Sequence, residues 1–264
     1  MTKTTVIYHA NCVDGFTAAW AAWCRFGSEA EYVPAQYGEA PPDCAGKDVV
    51  IVDFSYPRSA LLQLQDSASS LVVLDHHKTA QAELDGLPFC TFDMNRSGAG
   101  LAWDVLQDAP RPALIDYVED RDLWRWRLDS SKEISAWLGS WPRDFHQWTL
   151  CKVDLEQRFG DCFSQGAAIL RGLDGYVEMM HTKGRTCVIG GHAVPCINTT
   201  TAVSELVGKM ATGAEFAAGW FQRDDGKFVY SLRSRGDFDV SEIAKIYGGG
   251  GHKNAAGFTV DALL

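Results

Sequence analysis

The chain has 264 residues, a formal net charge of −10 and 46% apolar residues. That is enough for two domains with their own cores, and too apolar for a disordered chain. The acidic balance repels polyanions at long range, which argues against an extended duplex-binding track while allowing a small phosphate compound in a local pocket. The eight cysteines, at 12, 24, 44, 90, 151, 162, 187 and 196, include no CxxC pair. They are expected to be free thiols of a cytoplasmic protein rather than zinc ligands or a disulfide scaffold. No apolar run reaches transmembrane length, and the first is too short for a signal peptide.

In chain order, Thr5–Tyr8 is a β-branched run ending at His9, and Phe16–Phe26 has helical character. Lys47–Ser55 reads as a buried strand ending in Asp53. Ser59–Ser69 has helical periodicity, and Ser70–His77 is a third strand closing on Asp75, His76 and His77. Strands alternating with helices predict a parallel, doubly wound α/β domain, in which ligands bind at the carboxyl ends of the strands. His9, Asp14, Asp53, Asp75, His76 and His77 all fall there, so three segments deliver polar groups to one edge. Asn95–Leu106 is a loop opening a helix at Ser97. Pro112–Trp126 carries Glu119, Asp120 and Asp122 in an apolar and aromatic setting, and residues 131–183 read as mostly helical. From Lys183 the pattern changes to short strands. A hairpin is expected over 216–234 around Asp224-Asp225-Gly226, a helix over Val240–Tyr247, and the run GGGGH follows. The expected domains are 1–183 and a smaller α/β unit, 184–264.

Imidazoles with carboxylates suit Mn²⁺, Zn²⁺ or Fe²⁺. Taken alone, Asp75-His76-His77 could be a strand end with two incidental histidines; three such strand ends together favour metal. Asp53 after VVIV would be costly to bury without a cation, its alternative being a turn or cap before Ser55 and Pro57. Asp120 and Asp122 could each pair with Arg121 or Arg125 instead. In GGGGH, the glycines Gly249, Gly250 and Gly251 let backbone N–H groups approach an anion, with His252 as a further donor; the alternative is a flexible linker. Arg233 and Arg235, expected on one face of a strand, could fork onto phosphate. Most of the nine tryptophans, including Trp103, Trp124, Trp126, Trp137 and Trp148, are expected to fill a core.

The segments HANCVDG, VDFS, LDHHKTA and VEDRDLW, followed by SLRS, GGGGH and AAGF, run in order from residue 9 to residue 258. They resemble the DHH phosphoesterase superfamily with its C-terminal DHH-associated domain, a group that includes RecJ-type exonucleases and nanoRNase-type oligoribonucleases. The resemblance implies two metal ions, usually Mn²⁺, activating a water for attack on phosphorus in a cleft between the domains. It assigns His9 and a first-motif acid to one metal, Asp53 as the bridge, and Asp14, His76 and Asp120 to the second. It makes Asp75 the carboxylate that orients a ligand histidine, and His77 the contact to the scissile phosphate or leaving group. Arg233 with Gly249, Gly250, Gly251 and His252 would grip the far phosphate or terminal nucleotide. One departure stands out: Asn11 and Val13 occupy first-motif positions where relatives commonly carry acids.

The expected activity is metal-dependent hydrolysis of phosphodiester bonds in short oligonucleotides or dinucleotides, with Mn²⁺ or another divalent ion such as Mg²⁺. Alternatives are a nucleotide phosphomonoesterase of the 3′-phosphoadenosine 5′-phosphate type, or a nucleotide-binding protein with a degenerate metal site. Long duplex nucleic acid and membranes are not expected partners, and a homodimer is one option for the oligomeric state.

Overall fold

The computed structural model describes residues 3–264. The chain divides into two compact units, 1–170 and 171–264.

In the first unit, strand β1 (Thr4–His9) leads into helix α1 (Val13–Phe26), then β2 (Ala30–Ala35) and β3 (Asp48–Val52). After these come α2 (Arg58–Ser67), β4 (Ser70–Asp75), α3 (Lys78–Leu84) and β5 (Cys90–Phe92). The helices α4 (Gly98–Leu106), α5 (Ala113–Asp122), α6 (Ser131–Gly139), α7 (Phe145–Gln157) and α8 (Phe159–Met180) complete the series. The five strands are all parallel, in the order β2-β1-β3-β4-β5. A parallel sheet is buried on both faces, and the strands alternate accordingly. Val6, Val50, Val52 and Leu74 join a core with α1, α4, α5, α6 and α7. Ile7, Val49, Ile51, Leu71 and Val73 join a second core on the opposite face, with Leu61 and Leu64 of α2 and Leu84 of α3. This strand order reverses direction between β1 and β3, and a reversal opens a crevice beyond the strand ends. His9 and Asp53 stand at that point.

Neither β2 nor β5 is legible in the sequence. Strand β2 is an edge strand that tolerates Pro34 because an edge needs no donor on its outer side, and β5 has only three residues.

The second unit takes in the end of α8 because Leu173, Tyr176, Val177 and Met180 pack against Ile197, Leu206, Val207 and Met210. The division therefore falls upstream of the expected residue 184. Its strands and helices are β6 (Arg185–Ile189), β7 (His192–Asn198), α9 (Val203–Met210), β8 (Phe216–Gln222), β9 (Phe228–Ser234), α10 (Val240–Ile246), β10 (Gly250–His252) and β11 (Ala255–Val260). They form a six-stranded mixed sheet, β10-β11-β9-β8-β7-β6, in which only β7 and β8 pair in parallel. The expected hairpin is β8–β9, closed by Arg223 N–H donating to Lys227 O at 2.8 Å. All eight cysteines are free thiols. No helix among the described residues is long and apolar enough to cross a membrane.

Candidate metal centre

Three loops carry the acids and histidines to the carboxyl edge of the first sheet. After β1 the chain turns through Asn11, at φ 58°, into α1, whose first turn holds Asp14. After β3, Asp53 itself takes a left-handed φ of 53°, while its N–H still donates to Leu74 O at 2.9 Å. A non-glycine residue held there costs about 1–3 kcal/mol, a cost that folds concentrate at functional positions. After β4 come His76 and His77.

Asp53 is the hub. His76 Nε2 lies 3.0 Å from Asp53 Oδ1 and 3.6 Å from both Asp14 Oδ2 and Asp122 Oδ2. Asp14, Asp53 and His76 are buried, whereas the Asp122 side chain keeps 26% exposure. Two sets of potential ligand atoms, each within 4.8 Å of one another, share Asp53: His9, Asp53 and His77, and Asp14, Asp53 and His76. Close backbone approach makes this crowding feasible. A Cβ on Gly98 would come within 2.3 Å of Asp53 Cβ, and one on Gly15 within 2.4 Å of His9 O.

The charges do not balance within the protein. Three carboxylates surround one imidazole. Burial, then the neighbouring Asp122 and Asp53, push the Asp14 carboxyl well above its usual range, and burial raises Asp122 as well. Burial works against Asp53 too, but the hydrogen bond and charge of His76 outweigh it and hold that carboxyl far below the ordinary range. His76 is pushed up to about 10: burial opposes the imidazolium, but Asp53, Asp122 and Asp14 favour it more. The buried atoms His9 Nδ1 and Asp53 Oδ2 stand 3.5 Å apart, and neither has a hydrogen-bond partner. Excess negative charge, orphaned acceptors and an N/O donor set fit divalent cations. Asp14 is further steadied by Gly98 N–H at 2.6 Å and Ala99 N–H at 3.0 Å, at the start of α4, which Ser97 caps.

Asp75, fully buried, lies outside these sets. It accepts from Ser55 Oγ (2.5 Å) and His76 N–H (2.7 Å), and pairs with His77 Nδ1 (2.7 Å). It therefore fixes the His77 ring and favours its charged form. The ring of Tyr37, 56% exposed, packs near those of His9 and His77 with centroids 5.4 and 6.3 Å away. No sequence signal marks Tyr37, which lies in an irregular loop after β2.

Comparison with known proteins adds a family match. Residues 190–263 match the DHHA1 domain, and they follow a parallel sheet whose strand ends carry the HANCVDG, VDFS and DHH segments. The DHHA1 match, in a chain that carries these segments, supports a DHH-type phosphoesterase. The chain is 28% identical over 291 aligned residues to an uncharacterized protein, R106, of Acanthamoeba polyphaga mimivirus, covering 98% of this chain and 68% of that protein. It shares its fold with RecJ from Thermus thermophilus in complex with Mn²⁺ (TM-score 0.52, 14% identity, 98% of this chain and 50% of that one). It also shares it with the pGpG-specific phosphodiesterase PggH of Vibrio cholerae (TM-score 0.51, 12% identity, 97% and 92%).

One expected ligand lies elsewhere. Asp120 does not reach the cluster: its carboxylate accepts from Arg127 N–H at 2.9 and 3.0 Å, Leu128 N–H at 3.3 Å and Ser131 Oγ at 2.6 Å. Helix geometry explains the choice, since residues two apart face different ways, and it is Asp122 at the end of α5 that points to His76. Asn11 is exposed in its turn, where a short amide tolerates positive φ, and the third carboxylate beside His76 is that of Asp122. Burial, then the three aspartates, hold the Cys12 thiol protonated. Trp103, Trp137 and Trp148 are core residues as expected, but Trp124 is 53% exposed and Trp126 half-buried.

In the second unit, Arg233 donates to Ser204 Oγ at 2.9 Å and to Leu232 O at 2.8 Å, and Arg235 lies beyond the end of β9. The glycine run is not a linker. Gly250–His252 is β10, paired with β11, and Gly249 and Gly251 leave no space for a Cβ, which would meet Gly257 O at 2.1 Å and Ala255 O at 2.6 Å.

Proposed function

We propose that this chain is a divalent-metal-dependent phosphodiesterase acting on short oligonucleotides or dinucleotides. The observation that carries the proposal is the pair of ligand sets sharing Asp53. In this reading His9 and Asp53, with a substrate oxygen, would hold one ion, Asp14, Asp53, His76 and Asp122 would hold the other, and His77 would face the phosphate beside the first ion. Bound divalent ions, Mn²⁺ in the first instance, would lower the pKa of an attacking water and neutralise charge developing on the phosphate. The protein's own part is positioning. Asp53 sets the spacing, the start of α4 fixes Asp14, and Asp75 holds Nδ1 of His77 so that proton delivery to the leaving oxygen falls to Nε2. Arg233 and Gly249, Gly250, Gly251 and His252 are proposed substrate contacts on chemical grounds, through a guanidinium, backbone donors and an imidazole.

The fold shared with a pGpG-specific phosphodiesterase and with RecJ supports diester chemistry, and the net charge of −10 supports a short substrate. Eight free cysteines suit a cytoplasmic enzyme. The test is incubation of the Mn²⁺-loaded protein with di- to penta-nucleotides, with and without EDTA. Mononucleotide release that EDTA abolishes and Mn²⁺ restores is expected. Absence of turnover of these, of cyclic dinucleotides and of 3′-phosphoadenosine 5′-phosphate with several metals would overturn the reading. Asp53→Ala should be folded and inactive; an active variant would remove Asp53 from the shared position.

A further inference from the structure

Immediately after α5 the chain runs Leu123-Trp124-Arg125-Trp126, and both tryptophans have positive φ, 54° and 52°. A bulky residue in that region is an outlier, and two of them separated by one residue need a cause. Asp120 supplies it. The carbonyl of Asp120 accepts from Arg125 N–H at 2.8 Å, while its carboxylate holds the N–H groups of Arg127 and Leu128 and the hydroxyl of Ser131. The side chain of Arg125 is drawn inward, Nη1 to Glu119 Oε1 at 3.1 Å and Nη2 to Asn95 O at 2.6 Å. With the middle residue tied to the protein, Trp124 turns outward and Trp126 stays half-buried beneath it.

What they present is a cationic aromatic surface. Trp124 is 53% exposed, and its ring meets that of Trp126 edge to face at 5.0 Å. The Arg121 guanidinium carbon lies 5.7 Å from the Trp124 ring and 5.6 Å from the Trp126 ring, and Lys132 Nζ lies 5.7 Å from Trp126. On a chain with a net charge of −10, positive charge clustered at one exposed and one half-buried ring complements a ligand that is both flat and anionic. Trp124 is two residues from Asp122. Consecutive Cα atoms are about 3.8 Å apart, so their Cα atoms lie within about 7.6 Å.

We propose that Trp124, with Arg121 and Trp126, is a base-stacking platform for the nucleotide whose phosphate is bound at the Asp53 cluster. This rests on the nucleotide chemistry proposed above and adds to it the residues that bind the base. In this arrangement Asp120 is a positioning residue: it shapes the loop that displays the rings.

The experiment compares wild type with Trp124→Ala and Trp124→Phe. The substrates are a dinucleotide and the same diester with an abasic sugar in place of one or the other base. Trp124→Ala should raise KM for the dinucleotide on the order of tenfold, the equivalent of one stacked base, with kcat within about twofold. KM for one of the abasic diesters should not change, and Trp124→Phe should keep most of the wild-type affinity. A parallel titration with adenosine and AMP, followed by calorimetry, needs no turnover. Loss of affinity for both in Trp124→Ala supports the platform even if diester hydrolysis fails. Unchanged nucleoside affinity and unchanged dinucleotide KM overturn it and leave the hydrolase reading standing. Dissociation of a dimer by Trp124→Ala with nucleoside affinity intact would equally overturn it.

Discussion

Replacing Gly98 by alanine separates local propensity from tertiary fit. Gly98 is the first residue of α4 and has no positive φ, so on helix propensity alone alanine should stabilise by about 0.5–1 kcal/mol. The packing says the reverse. The new methyl would sit 2.3 Å from Asp53 Cβ and 2.7 Å from both Asp53 Cγ and Oδ1. Ordinary carbon contact begins at 3.4 Å, so the β3–α4 approach must open by roughly 1.1 Å, an overpacking cost of about 1–3 kcal/mol. Asp53 cannot swing aside cheaply, because it is buried and bonded to His76 at 3.0 Å. A misplacement near 1 Å at a positioned catalytic group costs on the order of 10²-fold in rate. Gly98→Ala should therefore bind Mn²⁺ more weakly, melt no higher than wild type and lose about 10²-fold in kcat on a dinucleotide. Calorimetric metal titration, thermal melting and initial rates measure the three. A variant that melts higher and turns over within about twofold of wild type would refute the steric reasoning.

Asp122→Asn should lower Mn²⁺ affinity by on the order of 10–100-fold with little change in melting temperature, because it removes an anion 3.6 Å from His76. Asp120→Asn should do the opposite, holding metal affinity within severalfold while melting on the order of 5 °C lower, since it loses charge-assisted bonds to a loop; titration and melting of the pair decide. Asp75→Asn removes the partner that raises the His77 pKa, so the alkaline limb of the kcat profile should move to lower pH, and a limb that stays put would separate His77 from the proton step. The same pair sets a stability window in the metal-free protein. The Asp75 pKa is lowered, so its contribution is present above the ordinary carboxylate value and lost as pH falls through the folded one; the His77 pKa is raised, so its contribution is full below the ordinary histidine value and lost as pH rises through the folded one. The melting gap between wild type and Asp75→Asn should peak between about pH 4 and 6.5 and shrink on either side.

The sheet and most of its edge are legible in the sequence alone. Buried parallel strands read as short apolar runs, and a polar residue at the end of such a run has few places to go, so His9, Asp53, Asp75, His76 and His77 can be assigned to one lip from pattern. The same logic finds Ser97 as the start of a helix and the β8–β9 hairpin, because caps and turns are local chemistry. Strand β2 escapes it because Pro34 masks a parallel edge strand, and β5 because three residues carry no period. Asp120 and Asp122 cannot be told apart in the sequence: both sit in VEDRD, and only the rotation of α5 against the sheet decides which carboxylate faces His76 and which one secures the following loop. Composition points Trp124 and Trp126 to a core, yet a left-handed backbone imposed from Asp120 turns Trp124 outward and leaves Trp126 half-buried. Local periodicity fixes elements and their ends; the direction of a side chain at a helix terminus or in a strained loop depends on partners distant in sequence, and those exist only in the folded chain.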